Sequence, residues 1–396
     1  MKFNKIMSTA LCLAILVALL AGCSSGENEQ WYLDGEQATS TPPPSGTSQP
    51  PSPVSPFPTG NSGMTMLEDI DFETAYATYP HDTVMIRVGE YVITWEELFF
   101  NLRGALNYIN SMLGMLPSLS DTLMDGSTYA ETMMLYAVDN ALLYKGLEHG
   151  ASLQGIELND EDYEQIKIEL EEIITIYSGK DTLLQVLWET DGIKRFEFFE
   201  YLYKTGYMSN VMFERTYGVD GVLMTDEELA ELTASDGLLM AKHILRMKTE
   251  EGDETPLNES IDILNLLNAY SGDDFGAYFD ELMIAHSEDS GLIYFPDGYL
   301  FQANDMMPEF SNACISLDIG SFSEIVETTY GYHIIYRLPL NYDAIPSSNA
   351  SSGDMRSLRS IIAMNLFDTL INSWIDMLTP EYTAEFDSID VASVFS

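Results

Sequence analysis

The sequence predicts an α+β protein in which a mainly helical module is interrupted by a compact unit built on antiparallel strands. Three observations carry that prediction. Apolar residues repeat at helical spacing from about residue 95 to 232. Between Leu238 and Leu340 the pattern changes to short apolar strands alternating with helices, and after that it returns to helix. A chain of 396 residues is long enough to bury two cores.

The N-terminal 22 residues read as a secretory signal. Lys2 and Lys5 precede an apolar run from Ala10 to Ala21, too short to span a bilayer, and small residues lead to Cys23. Residues 23–66 form a linker. "STPPPSGTSQPPSPVSPFPTGNSG" holds eight of the sixteen prolines and no charge, so it cannot build a core, and about forty such residues reach roughly 35 Å. Folding begins near Thr83: "DTVMIRVGEYVITWEELFF" gives strand alternation, a turn at Gly89–Glu90, and Thr94 to Glu97 as a capping box opening a helix. Residues 67–238 are expected to be helical. Within them Tyr163, Ile166, Leu170, Ile173 and Tyr177 mark one helix face, with Asn159 as its cap and Gly179 as its end, and Thr225 opens a further capped helix.

Residues 239–341 give the α+β unit. "LLMAKHILRM" is a strand, "LNESIDILNLLNAYSGD" and "DDFGAYFDELM" are helices, and "GYLFQAN" is a short strand. "MPEFSNACISLD" is then a helix, and "SEIVET" and "GYHIIYRL" are closing strands. Residues 342–396 supply a helix, apolar at Leu358, Ile361, Ile362, Phe367, Leu370 and Trp374. It is too short to fold alone and is expected to pack back on the first module.

Charge and cysteine bound the function. There are 17 basic and 63 acidic residues, a net charge of −46, and loss of Lys2 and Lys5 with the signal makes it −48. That field argues against nucleic acid and against electrostatic binding to anionic lipid. The carboxylates show no calcium-loop spacing, and no metal-ligand cluster or phosphate loop is present, so neither metal nor cofactor is expected. Of three cysteines, Cys12 leaves with the signal, and no intramolecular disulfide is available if Cys23 is acylated, since only Cys314, on an apolar helix, then remains.

Two histidines, His243 and His333, lie inside apolar strands. Each alone reads as a satisfied core residue, while together they could meet in one site. The stretches around them, "AKHIL", "HSEDSG", "PDGYLF", "MMPEF", "LDIGSFSEIVET" and "GYHIIYRL", resemble the parvulin-type peptidyl-prolyl isomerases in order and spacing. "LLAGC" resembles the bacterial lipobox, which implies lipidation at Cys23. The whole plan resembles extracytoplasmic foldase lipoproteins of the PrsA type. The resemblance implies a parvulin-like (FKBP-like) four-stranded antiparallel sheet with helices, inserted in a mainly α-helical SurA/trigger-factor-like domain. It assigns His243 and His333 to a hydrogen-bonded pair, Thr328 to its buttress and Asp289 to a position facing the substrate carbonyl. Met306 and Phe310 match the proline slot. Asp289 could equally cap its loop, and Met306 and Phe310 could be plain core. The chain has "FPDGYLF" where the family has "GGDLG", and Leu300 is the candidate for the remaining slot position.

The resulting expectation is a membrane-anchored foldase on the outer face of the cell membrane. It would isomerise prolyl bonds in unfolded secreted polypeptides and cradle them on its helical module, with homodimerisation implied by the resemblance. The alternative is a holdase chaperone with a weak or silent parvulin domain. A solute-binding lipoprotein lacks support, because no two-lobed α/β repeat is present.

Overall fold

The computed structural model describes residues 65–250, 252–351 and 353–396. The signal segment, Cys23 and nearly all of the linker lie outside the described residues. The chain divides into two compact units. One comprises residues up to Met212 together with Asp368–Ser396, and the other is Phe213–Phe367. The described strands are β1 (Val84–Val88), β2 (Tyr91–Thr94), β3 (Leu238–Met247), β4 (Tyr299–Gln302), β5 (Val326–Glu327), β6 (Gly331–Leu338) and β7 (Pro380–Tyr382).

In the first unit the β1–β2 hairpin leads into the helix Trp95–Leu113 through the expected capping box. The Thr94 N–H donates to Glu97 Oε2 at 2.7 Å, and Thr94 Oγ1 accepts from the Glu97 N–H. Trp95, Leu98, Phe99, Leu102 and Leu106 of that helix are buried against Met133 and Ala137 of the helix Tyr129–Gln154. The latter helix can approach its neighbours because Gly146 and Gly150 lack side chains. A Cβ at either position would collide with Ile375 or Trp374. The C-terminal residues return here in a further way that the sequence reading lacked: β7 pairs antiparallel with β1, giving the order β2-β1-β7.

One helix end differs from expectation. Asn159 caps the helix Asp160–Ile176, but the left-handed residue beyond its end is Ser178 (φ 61°), not Gly179. The Ser178 N–H donates to Thr175 O and the Gly179 N–H to Ile174 O, the two bonds of a Schellman motif. Gly179 instead begins the next helix, Lys180–Asp191.

The second unit contains the four-stranded antiparallel sheet, order β4-β3-β6-β5. Side-chain alternation gives it two packed faces. Ile244 and Ile334 meet Ile263, Leu267, Phe279 and Met283 of the helices Thr255–Ala269 and Phe275–His286. On the other face Leu239, Ala241, Phe301 and Ile335 meet Phe310 and Cys314 of the helix Pro308–Ser316. Cys314 is fully buried, and burial raises its thiol pKa, as expected of an inert core cysteine. A third cluster joins Met240 and Leu300 to Met224, Leu229, Leu358 and Ala363. Arg359 ties this region by ion pairs to Asp226 (2.6 Å) and Asp343 (2.7 Å). The packed unit therefore extends beyond residues 239–341 on both sides.

Candidate active site

The site grows from the β3–β6 ladder. His243 pairs with Ile335 and His333 with Leu245, so the two histidines lie diagonally on one face, two positions apart. Their rings are nearly parallel (18°) with centroids 5.2 Å apart, and the two Nδ1 atoms are 3.0 Å apart. Both residues are buried.

A continuous polar chain runs through the pair. Asp289 Oδ2 lies 2.9 Å from His243 Nε2 and accepts from the Tyr299 hydroxyl at 2.7 Å. At the far end Thr328 Oγ1 lies 2.8 Å from His333 Nε2 and accepts from the Tyr330 N–H. With a neutral His243, the ionised carboxylate sets the direction of every bond. An ionised Asp289 can only accept, so His243 Nε2 carries its proton, and in the neutral ring His243 Nδ1 must accept from His333 Nδ1–H. His333 Nε2 is then the acceptor for the Thr328 hydroxyl. Each buried polar atom is satisfied with both imidazoles neutral.

The electrostatics agree with that assignment. Burial, reinforced by His243, holds the pKa of His333 at about 3, and Asp289 offsets only part of the effect. Burial by itself would raise the Asp289 pKa, but hydrogen bonds from His243 and Tyr299 outweigh it and hold the carboxyl at about 2. Burial and the Asp289 contact raise the Tyr299 phenol.

Asp289 also satisfies the other reading of its position. Its Oδ1 accepts from the Gly291 N–H at 3.0 Å and caps the short turn Ser290–Ile293, while Oδ2 serves the histidine. Ser287 anchors the same loop to the sheet, its Oγ accepting from the Leu245 N–H. Phe310 packs edge-on to both imidazoles, with centroids at 5.2 and 5.5 Å, and Met306 lies against the same cluster half-buried. The structure therefore brings together His243, His333, Asp289, Thr328, Met306 and Phe310.

Leu300 is not among them. On β4, Tyr299 and Phe301 face the histidine side, and alternation turns Leu300 away to pair with Met240 in the third cluster. Tyr299, absent from the sequence reading, holds the place beside Asp289. The period-two spacing of Tyr299 and Phe301 was the available signal. The nearby cations are already engaged. Arg246 is bound to Glu259, lies 3.4 Å from Glu288 and donates to the His286 carbonyl, while Lys248 pairs with Glu327 at 2.7 Å. Among the described residues no acidic, histidine or cysteine cluster could hold a metal ion.

Parts of this chain are similar to known proteins. Residues 243–338 match the rotamase family, the PPIC-type PPIase domain, and this stretch is accordingly a parvulin-type domain. The chain that carries it is similar to the foldase protein PrsA of Oceanobacillus iheyensis, 32% identical over 46% of this chain and 55% of that protein. It is also similar to PrsA of Halalkalibacterium halodurans, 36% identical over 30% of this chain and 32% of that one. The chain thus spans about half the length, or less, of these curated relatives. A crystal structure of PrsA from Bacillus anthracis aligns over 62% of this chain and 96% of its own, with 22% identity and a TM-score of 0.25.

Proposed function

We propose that the chain is an extracytoplasmic foldase that isomerises X–Pro bonds and holds unfolded secreted polypeptides, tethered to the membrane by lipid on Cys23. The observation that carries the isomerase reading is the satisfied chain from Tyr299 through Asp289, His243 and His333 to Thr328, with Phe310 and Met306 beside it. Rotation of a peptide bond costs about 18–20 kcal/mol because the planar amide loses resonance. No nucleophile is needed, only a site that favours the twisted amide over both planar forms. Phe310 and Met306 would grip the proline ring. Planar resonance places partial negative charge on the carbonyl oxygen, and ionised Asp289 close to that oxygen would disfavour it, while burial excludes the water that would otherwise stabilise it. The neutral, directionally fixed histidine pair would be positioning residues that keep Asp289 ionised and in place.

The departure at Leu300 favours a second reading, a holdase with a weak isomerase, because one wall of the slot is built differently. The deciding experiment is an isomerisation assay on the soluble chain from Ser24, run beside suppression of client aggregation. Turnover that drops on Asp289→Asn supports the first reading. Suppression without turnover selects the holdase, and failure of both rejects the proposal.

A further inference from the structure

The second unit has another apolar depression, of about 640 Å³, between the loop Tyr294–Gly298 and the segment Asn341–Met355. Tyr294, Phe295, Pro296, Ile345 and Met355 supply its apolar lining. Tyr294 is 79% exposed and Met355 66%. Single exposed apolar side chains are ordinary, but several gathered around one concavity mark a surface that binds something.

The position of this groove indicates what it binds. The Phe295 ring lies 4.7 Å from the Tyr299 ring, and the Tyr299 hydroxyl donates to Asp289 at 2.7 Å. Tyr299 thus links the histidine site to Phe295, a residue of the groove's lining. Through it the path from Asp289 to the Phe295 ring is roughly 10 Å, about three residues of extended chain. The charge of the lining narrows the occupant further. Asp343 is paired with Arg359 at 2.7 Å, whereas among the described residues Asp297 makes no ion pair or hydrogen bond and no cation lines the groove. An acidic side chain would be repelled, and an aromatic or aliphatic one would fill the space.

We infer that this groove is a subsite for an apolar, preferably aromatic, residue about three positions from the proline in the same client chain. The inference rests on the isomerase reading for the identity of the neighbouring site. Its consequence is that the protein selects prolines flanked at that distance by core-forming residues.

The test uses the intact mature chain and three sets of peptides with one Ala–Pro core: the core alone, the core with Phe three residues before or after proline, and the same peptides with Glu. Affinity is read by NMR titration and turnover by line-shape or exchange measurements. At one of the two positions Phe should tighten binding about tenfold over the core, and Glu should not. Tyr294→Ser combined with Met355→Ser should abolish that gain and leave the core's affinity and turnover unchanged. The inference falls if Phe gives no gain at either position, or if the gain survives the double substitution. It also falls if the substitutions alter only self-association, which would make the groove a contact between copies. A core peptide that binds without turnover would reject the isomerase reading, while the gain from Phe would still report on the subsite.

Discussion

Replacing His333 with glutamine should make the stability difference from the parent protein depend on pH in one direction. In the folded protein burial holds the His333 pKa at about 3, against an ordinary value of 6.5. Below pH 6.5 the unfolded chain takes up a proton that the folded chain refuses until pH approaches 3. The neutral imidazole's contribution is therefore complete above 6.5 and is lost as pH falls from 6.5 towards 3. Each pH unit in that window costs about 1.4 kcal/mol, so the parent loses about 2 kcal/mol between pH 7.5 and 5. Glutamine does not titrate. His333→Gln should cost about 1–3 kcal/mol at pH 7.5 through its lost hydrogen bonds to Thr328 and His243. The gap between the two proteins should then narrow by about 2 kcal/mol at pH 5. Asp289 does not confuse the result, because its pKa of about 2 confines its own loss to pH below 3.8. Urea unfolding of both proteins at matched pH measures the gap, and the comparison cancels most of the titration of the 63 acidic residues. A gap that stays constant, or widens in acid, would refute the neutral, directionally fixed pair.

Further tests address neighbouring features. Thr328→Val should cost about 1–3 kcal/mol by leaving His333 Nε2 without its donor, and Thr328→Ser should restore most of it. Leu300→Ala should cost about 2–5 kcal/mol in urea unfolding yet leave the KM for a proline peptide unchanged at temperatures where the protein stays folded, because that side chain faces away from the site. Peptides with glutamate or phosphoserine before proline should turn over more slowly than those with apolar or basic residues, and the difference should shrink in high salt. The stretch 241–340 carries eighteen acidic and four basic residues, and Arg246 and Lys248 are already paired. Cys23→Ser should release the protein from membranes or leave it unprocessed; normal processing with tight attachment would reject the lipid anchor.

Much of this was legible in the sequence because it is local or periodic. Capping boxes at Thr94 and Thr225 mark helix starts by side-chain chemistry within three residues, and both are present. The strands around His243 and His333 declare themselves by apolar character, and antiparallel pairing then brings the two rings together. What the sequence hid depends on packing between distant segments. β7 is three residues long and gains its identity only from β1. The assignment of Leu300 followed a motif rather than the alternation of its own strand, which places Tyr299 and Phe301 inward. Ser178 occupies a left-handed position that glycine usually takes, with its own N–H bond to Thr175 O and that of Gly179 to Ile174 O offsetting the strain.

The pairing of β1 with β7 also sets a timetable for the protein's own maturation. Thr383 Oγ1 donates to Val84 O across 299 residues, so the edge of β1 has no partner until nearly the whole chain has been made. Loop closure over such a span is slow, and an open strand edge invites pairing with other chains in the interval. Phe213–Phe367, by contrast, is one continuous stretch that can complete its contacts as it emerges. Premature termination that removed only the last twenty residues would therefore spare the histidine site and leave β1 as an unprotected edge. A stalled or clipped copy of this protein would then carry an intact histidine site together with a strand edge open to other chains.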